Sequence, residues 1–186
     1  KMGMAFEPPD VNRGGYRFEP VTDKLIRYGL GAVKGTGQLA IEAIVAAREG
    51  RGEGPNGDEK GPFTSLFNFC LRVDRQRINK RTVEALIKAG AFDAIHLNRA
   101  ELLASVDVAF EYAATSQANA NQGGLFDMLG GDDHGSSTQE PAYVATTPWG
   151  VKERLTYEKT AIGFYFSGHL FDEVGAEVRR FARTPL

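Results

Sequence analysis

Two glycine-marked turns, each running into a stretch of helical spacing, constrain this chain more than any other feature. Gly35-Thr36-Gly37 opens onto Gln38 to Glu49, where Ile41, Ile44 and Val45 fall at i, i+3 and i+4 on one stripe of a helix. Further on, Leu86-Ile87-Lys88-Ala89-Gly90-Ala91-Phe92 joins a helix capped by Asn79, burying Val83, Leu86 and Ile87, to a longer one capped by Asn98. That longer helix carries Leu102, Leu103, Val106, Ala109, Phe110 and Ala113 on its inner face, and Gly90 sits where a helix C′ glycine belongs. Thr64 or Ser65 caps a short helix through Leu71 between the two turns. A chain with this order of caps, apolar stripes and small-residue turns folds as a mainly α domain.

The flanks read differently. Glu7-Pro8-Pro9-Asp10 through Gly14-Gly15 cannot be helical, while Tyr16-Arg17-Phe18 and Leu25-Ile26-Arg27-Tyr28 alternate as the arms of a small β hairpin. Glu49 to Gly61 is rich in glycine and charge and reads as a mobile surface loop. Ser116 to Gln139 holds Gln, Asn, Gly, Ser and Asp, has no Lys or Arg and no sustained period, and reads as an exposed linker. Thr147-Pro148 starts a helix with the proline at N1, and Tyr157 to Phe166 leads through Ser167-Gly168-His169 into a last amphipathic stretch. The expected divisions are therefore 1–32, 33–115, 116–147 and 148–186.

Charge limits the choice of function. The 186 residues carry 22 Lys and Arg against 24 Asp and Glu, a net charge of −2, so contact with a polyanion must come from a local patch. Leu71 to Lys88 supplies one candidate, with Arg72, Arg75, Arg77, Lys80, Arg81 and Lys88 against Asp74 and Glu84. The lone Cys70 lies in an apolar run and reads as a buried thiol, which fits a reducing cytoplasm. No stretch approaches the roughly 20 apolar residues that span a bilayer, so no membrane partner is expected.

Tyr28 to Gln38 followed by its helix resembles a helix-hairpin-helix motif, whose tight turn brings main-chain N–H groups up to a phosphate. There a phosphate gains the orphan amides and positive end of the helix, worth about 0.3 to 2 kcal/mol, plus the charge of Lys34. Lys34, Gly35, Thr36, Gly37 and Gln38 are the candidate contacts of the first turn. Arg77, Lys80, Arg81, Lys88, Gly90 and Ala91 are those of the second, which lacks the second glycine, carries Phe92 in its place, and is expected to bind phosphate more weakly. The plainer readings are that a glycine turn only stops a helix and that a basic run is only a solvated face.

Within the polar stretch, Leu125 and Phe126 stand adjacent with Gln122 three residues before Leu125. Such a peptide can bind a pocket through its apolar pair, at about 1.5 to 3 kcal/mol per buried side chain, and orient itself through the amide. On the residues alone the plainer reading carries more weight: Leu125 and Phe126 fold back on their own domain or form a turn of helix starting near Asp127.

Taken together, Pro8-Pro9-Asp10-Val11-Asn12, Ile26 to Gly37, Asn79-Lys80-Arg81, Leu86 to Asp93 and Gly163 to His169 resemble the α subunits of bacterial replicative DNA polymerase III, the C-family polymerases. The resemblance implies a segment that starts at the end of the fingers, contains a tandem helix-hairpin-helix domain and stops before an oligonucleotide-binding fold. It implies that Gln122, Leu125 and Phe126 match the clamp-binding peptide, so that the expected partners are duplex DNA, the sliding clamp β subunit and the rest of the holoenzyme. It further implies that the Mg ions of polymerisation belong to a palm outside this segment, which therefore has no cofactor and no catalytic residue of its own. Thr36 stands where the family commonly has an aliphatic residue, a departure expected to loosen the turn. A helix-hairpin-helix repair glycosylase or nuclease, for which Asp93 is the near candidate residue, and a purely structural scaffold are the competing functions.

Overall fold

The computed structural model describes residues 3–127 and 139–166. Among them are three short strands, β1 (Ala5–Glu7), β2 (Glu19–Thr22) and β3 (Leu25–Arg27), and six α-helices. The helices are α1 (Gln38–Arg48), α2 (Leu66–Arg72), α3 (Lys80–Lys88), α4 (Arg99–Ala104), α5 (Val106–Asp127) and α6 (Val151–Ile162). The mainly α class with a small N-terminal sheet is what the sequence predicts. No helix among the described residues is long and apolar enough to cross a membrane.

The sheet has the order β1-β3-β2, with β2 antiparallel and β1 parallel to β3. The hairpin forms, but its first arm is Glu19–Thr22, not Tyr16 to Phe18. Pro20 is tolerated because β2 is an edge strand. The displaced Tyr16-Arg17 segment lies instead beneath a short 3-10 helix at Leu30–Ala32, accepting the Leu30 and Gly31 N–H groups on the carbonyls of Gly15 and Tyr16. A Cβ at Gly31 would fall 2.3 Å from the Tyr16 ring, and one at Gly29 2.6 Å from the Arg17 carbonyl carbon. Those two glycines serve close backbone approach.

The caps fall where the side chains predict them. Ser65 Oγ accepts from the Asn68 N–H at 2.9 Å, Asn79 Oδ1 from Thr82 at 2.9 Å, and Asn98 Oδ1 from Ala100 and Glu101 at 3.1 and 3.3 Å. One helix expected from Asn98 is two: the chain breaks at buried Ser105, whose Oγ accepts the Val144 N–H at 2.8 Å. The predicted inner face holds, with Leu102, Val106, Ala109 and Ala113 buried.

The core gathers Ile41 and Ile44 of α1, all of α2, and Leu86, Ile87 and Phe92. Phe69 meets Phe63 and Phe92 edge-to-face at 4.9 and 5.0 Å. Cys70 is buried there, and desolvation pushes its thiol pKa up to about 12. The Pro8-Pro9-Asp10-Val11-Asn12 segment pins this core from outside. Val11 gives its N–H to Ala91 O at 3.0 Å and takes the Arg48 guanidinium on its carbonyl, while Asn12 makes a two-way pair with the Phe63 main chain.

Three expectations are corrected. The loop from Glu49 to Gly61 is held, not free: a Cβ on Gly52 or Gly54 would lie 2.1 or 2.2 Å from the carbonyl oxygens of Arg72 and Leu71, so the loop packs flat on the end of α2. The linker expected over 116–147 holds structure at both of its described ends, and residues 128–138 lie outside the described residues. Residues 116 to 127 extend α5, where Ala118 and Ala120 supply helix propensity that the polar composition hides, and no proline intervenes. Residues 139–147 form an irregular strap in which Glu140 accepts from Ser65, Tyr143 Oη accepts from Leu66, and Thr146 O accepts from Asn98. The last helix begins at Val151 behind Gly150, three residues after the predicted Pro148, and Trp149 packs on Tyr157 at 4.4 Å. The final amphipathic stretch lies outside the described residues.

Candidate nucleic-acid interface

The first turn is presented outward. Gly35 adopts φ +88°, which requires glycine, and carries the chain from the 3-10 helix to α1. Gly37, the N-cap of α1, has φ −98° and makes no side-chain cap, and a Cβ there would meet nothing within 4 Å. Neither its backbone nor its neighbours demand glycine. Lys34, Gly35, Gly37 and Gln38 are exposed, and among the described residues no acceptor pairs with the amides of Gly35 and Gly37. The arrangement is an uncapped helix N-terminus with open space before it, able to bind an anion. Thr36 departs from its expected effect: its hydroxyl donates within reach of both Leu30 O (2.9 Å) and Val33 O (2.7 Å), which ties the turn down.

Helix α3 flanks this turn. Thr82 Oγ1 reaches Gly35 O at 3.4 Å, and a Cβ at Gly35 would sit 3.9 Å from that of Ala85. Arg81, next to Thr82, is exposed, and Lys88, one turn past Ala85, is half-buried with its Nζ 5.3 Å from the Tyr157 ring centre.

The rest of the predicted basic surface is thinner than the sequence implies. Arg72 is 0% exposed, and its guanidinium donates to the carbonyls of Ala47, Glu59, Gly61 and Pro62 at 2.7 to 3.3 Å. Burial pulls its pKa down, with Glu59 opposing. Arg75 is half-buried with its Nε enclosed and unpartnered. Arg77 pairs with Asp74 at 3.3 Å, and Lys80 pairs with Asp107, a hydrogen bond that pushes the ammonium pKa up. Lys34 of the first turn and Arg81 and Lys88 of the adjoining helix α3 make no ion pair among the described residues.

The second turn is built for packing. Gly90 has φ +84°, and a Cβ on it would meet Arg99 Nη2 at 2.5 Å. Gly90 and Ala91 are buried, and their N–H groups are spent on Ile87 O and Leu86 O. Those amides are not offered to phosphate, which corrects the candidacy of Gly90 and Ala91. The reason is Phe92: where the first turn has Gly37, this ring is 0% exposed and draws the turn into the core.

The helix-hairpin-helix motif family matches residues 3–102, more than half of the chain and both glycine turns. The chain belongs to the helix-hairpin-helix family. It is also similar along nearly its whole length to DNA polymerase III subunit alpha: 49% identical in Neisseria meningitidis over 99% of the chain, 42% in Pseudomonas aeruginosa over 98%, and 36% in Escherichia coli over 97%. These alignments cover 15%, 16% and 15% of those proteins, so the chain spans about 15% of the length of the curated relatives it matches. The resemblance read from the motifs is therefore shown. Within the helix-hairpin-helix frame the two hairpins divide roles, the first with open amides and the second with its amides internal.

Sequence reasoning missed the ion network behind the second hairpin. Arg99, 7% exposed, forks onto Asp93 at 2.7 and 2.6 Å and onto Glu158 of α6 at 2.7 Å. Burial alone would lower the Arg99 pKa, but the hydrogen bonds to Asp93 and then Glu158 outweigh it and the pKa goes up. No local pattern signals a pair 59 residues apart. Of the candidate clamp peptide, Gln122 is exposed on α5, and Leu125 and Phe126 belong to the last turn of that helix.

Proposed function

We propose that this chain is a non-catalytic processivity segment of a replicative DNA polymerase, cytoplasmic in location. It grips duplex DNA by its backbone through the first hairpin and docks on the sliding clamp β subunit through Gln122, Leu125 and Phe126. The rest of a polymerase III holoenzyme is its other partner, and the polymerase chemistry belongs to that assembly. The palm and its Mg ions belong to another part of the parent polymerase.

The observation that carries the DNA contact is the uncapped, exposed start of α1 at Gly37, with Lys34, Arg81 and Lys88 around it. A phosphate there receives main-chain N–H groups and three cations, contacts that carry no base information. Arg77 and Lys80 join only if their pairs with Asp74 and Asp107 open. Asp93, engaged by Arg99, is poorly placed to serve a base-excising enzyme, which favours the holding role over the repair reading. Linked to a clamp encircling the same duplex, even a weak grip is renewed at high effective concentration after each release.

Fluorescence anisotropy with a primed duplex tests the grip: Lys34→Ala should weaken binding similarly for every sequence. Loss confined to some sequences, or no loss at low salt, would count against phosphate contact. For the clamp, replacing Leu125 and Phe126 together by Ala should remove the heat of binding in a calorimetric titration while duplex affinity stays put. An unchanged titration sinks that assignment.

A further inference from the structure

Helix α6 lies where it can hold the turn that the proposed DNA contact depends on. The Lys34 N–H, in the middle of that turn, donates to Ala161 O at 2.8 Å, and Tyr28 Oη donates to Ile162 O at 3.3 Å. The end of α6 thus fixes the first hairpin from behind. What fixes α6 is Glu158, one turn earlier and 0% exposed. Its Oε1 takes Arg99 Nη1 at 2.7 Å, and its Oε2 takes the Phe166 N–H at 2.9 Å. The second bond folds the chain back after Gly163, which is left-handed at φ +100°, so that Phe164 and Phe166 both meet the Tyr28 ring at 5.4 and 5.5 Å. Arg99 in turn is held by Asp93 in the turn of the second hairpin. One buried carboxylate therefore stands at the junction of the two hairpins and the chain that leaves them.

We infer that Glu158 is a positioning residue for the phosphate site of the first hairpin: through Arg99 and Phe166 it seats the end of α6, whose Ala161 carbonyl fixes the Val33-Lys34 peptide and so the turn that leads into α1. This rests on the reading of that turn as a phosphate contact. It gives the second hairpin a task consistent with its buried amides, which is to anchor Arg99. A burial this complete is costly unless every lone pair is matched, and mismatching one partner of such a network shifts whatever it supports.

The test uses the whole chain, with amide hydrogen exchange and duplex anisotropy measured on the same variants. Glu158→Gln keeps the shape and removes the charge. It should speed exchange at the Lys34 amide, leave Val83 and Leu86 of α3 protected, and raise the duplex Kd by about tenfold. The dependence of log K on log salt should keep its slope, since no cation has been removed, whereas Lys34→Ala should flatten that slope by about 0.9. Should Glu158→Gln fail to fold, Tyr28→Phe removes only the Oη bond to Ile162 and should move both readouts in the same direction by less. Faster Lys34 exchange with unchanged affinity overturns the positioning role and leaves the phosphate reading intact. Weakened affinity with Lys34 still protected also overturns it. A wild-type chain that binds no duplex at low salt overturns the phosphate reading and this role with it.

Discussion

At the scale of single residues, two glycines two positions apart have opposite reasons for being glycine. Gly35 is held at φ +88°, so any side chain there strains the backbone by about 1 kcal/mol or more. Gly37 has ordinary dihedrals and open space where a Cβ would go, so the fold itself does not require glycine there. This gives a substitution in which stability and binding move apart. Gly37→Asp supplies α1 with a good N-cap and a negative charge at its positive end, and should raise unfolding stability by a few tenths to 1 kcal/mol. The same carboxylate occupies the amides and repels phosphate, so duplex affinity should fall at least tenfold. Chemical denaturation and anisotropy on one preparation check both signs; a variant that binds DNA as well as wild type removes Gly37 from the interface. The sequence shows both glycines equally well. It cannot show which of them the backbone needs, because that difference lies in a dihedral angle.

At the scale of elements, what could be read in advance depended on how local the cause is. Ser65, Asn79 and Asn98 cap their helices because a short polar side chain and the N–H it accepts lie within three residues, and Gly90 closes α3 for a similarly local reason. The loop after α1 was opaque for the opposite reason. Glycine and charge give it the composition of a free loop, yet Arg72 reaches across from α2 to take carbonyls of Ala47, Glu59, Gly61 and Pro62, with its guanidinium 4.6 Å from the Phe63 ring centre. An arginine counted as surface charge is thus the peg on which the loop hangs. Arg72→Met keeps the apolar stem and abandons the carbonyls, and should cost about 3 kcal/mol in urea unfolding, since each bond from a charged donor is worth roughly 1.5 to 3 kcal/mol and the acceptors stay buried. Cleavage by a protease between residues 50 and 61 should appear at the same time. A variant within about 1 kcal/mol of wild type, with the loop still resistant, would show that glycine packing alone holds it. The same blindness hid the docked strap at 139–147, whose bonds to Ser65, Leu66, Asn98 and Ser105 reach back 39 to 77 residues.

At the scale of the whole molecule, net charge and useful charge are different quantities. The chain is at −2, and a run of six cations between Leu71 and Lys88 invites the picture of a basic plate. Folding spends most of that run: Arg72 goes to the loop, Arg75 is partly enclosed, and Arg77 and Lys80 are matched by Asp74 and Asp107. Lys34, which the linear count of that run omits, lies in the open turn that α3, the helix of Arg81 and Lys88, packs against at Gly35. Three free cations adjoining the site predict that the log–log slope of duplex affinity against salt is about −2.7, from about 0.9 per phosphate neutralised. With Arg77 and Lys80 released as well, five would give about −4.5 by the same factor. The distinction is within reach of a titration from low to moderate salt. A slope near the larger value would mean that the pairs at Asp74 and Asp107 open on binding and that the interface extends along α3. A slope near the smaller one, together with affinity too weak to hold DNA alone at physiological salt, is the behaviour of a grip that relies on a tether. For such a grip, the clamp attachment proposed at the last turn of α5 should matter as much as the hairpin, because a hold released by modest salt becomes lasting only when a second attachment keeps the duplex close.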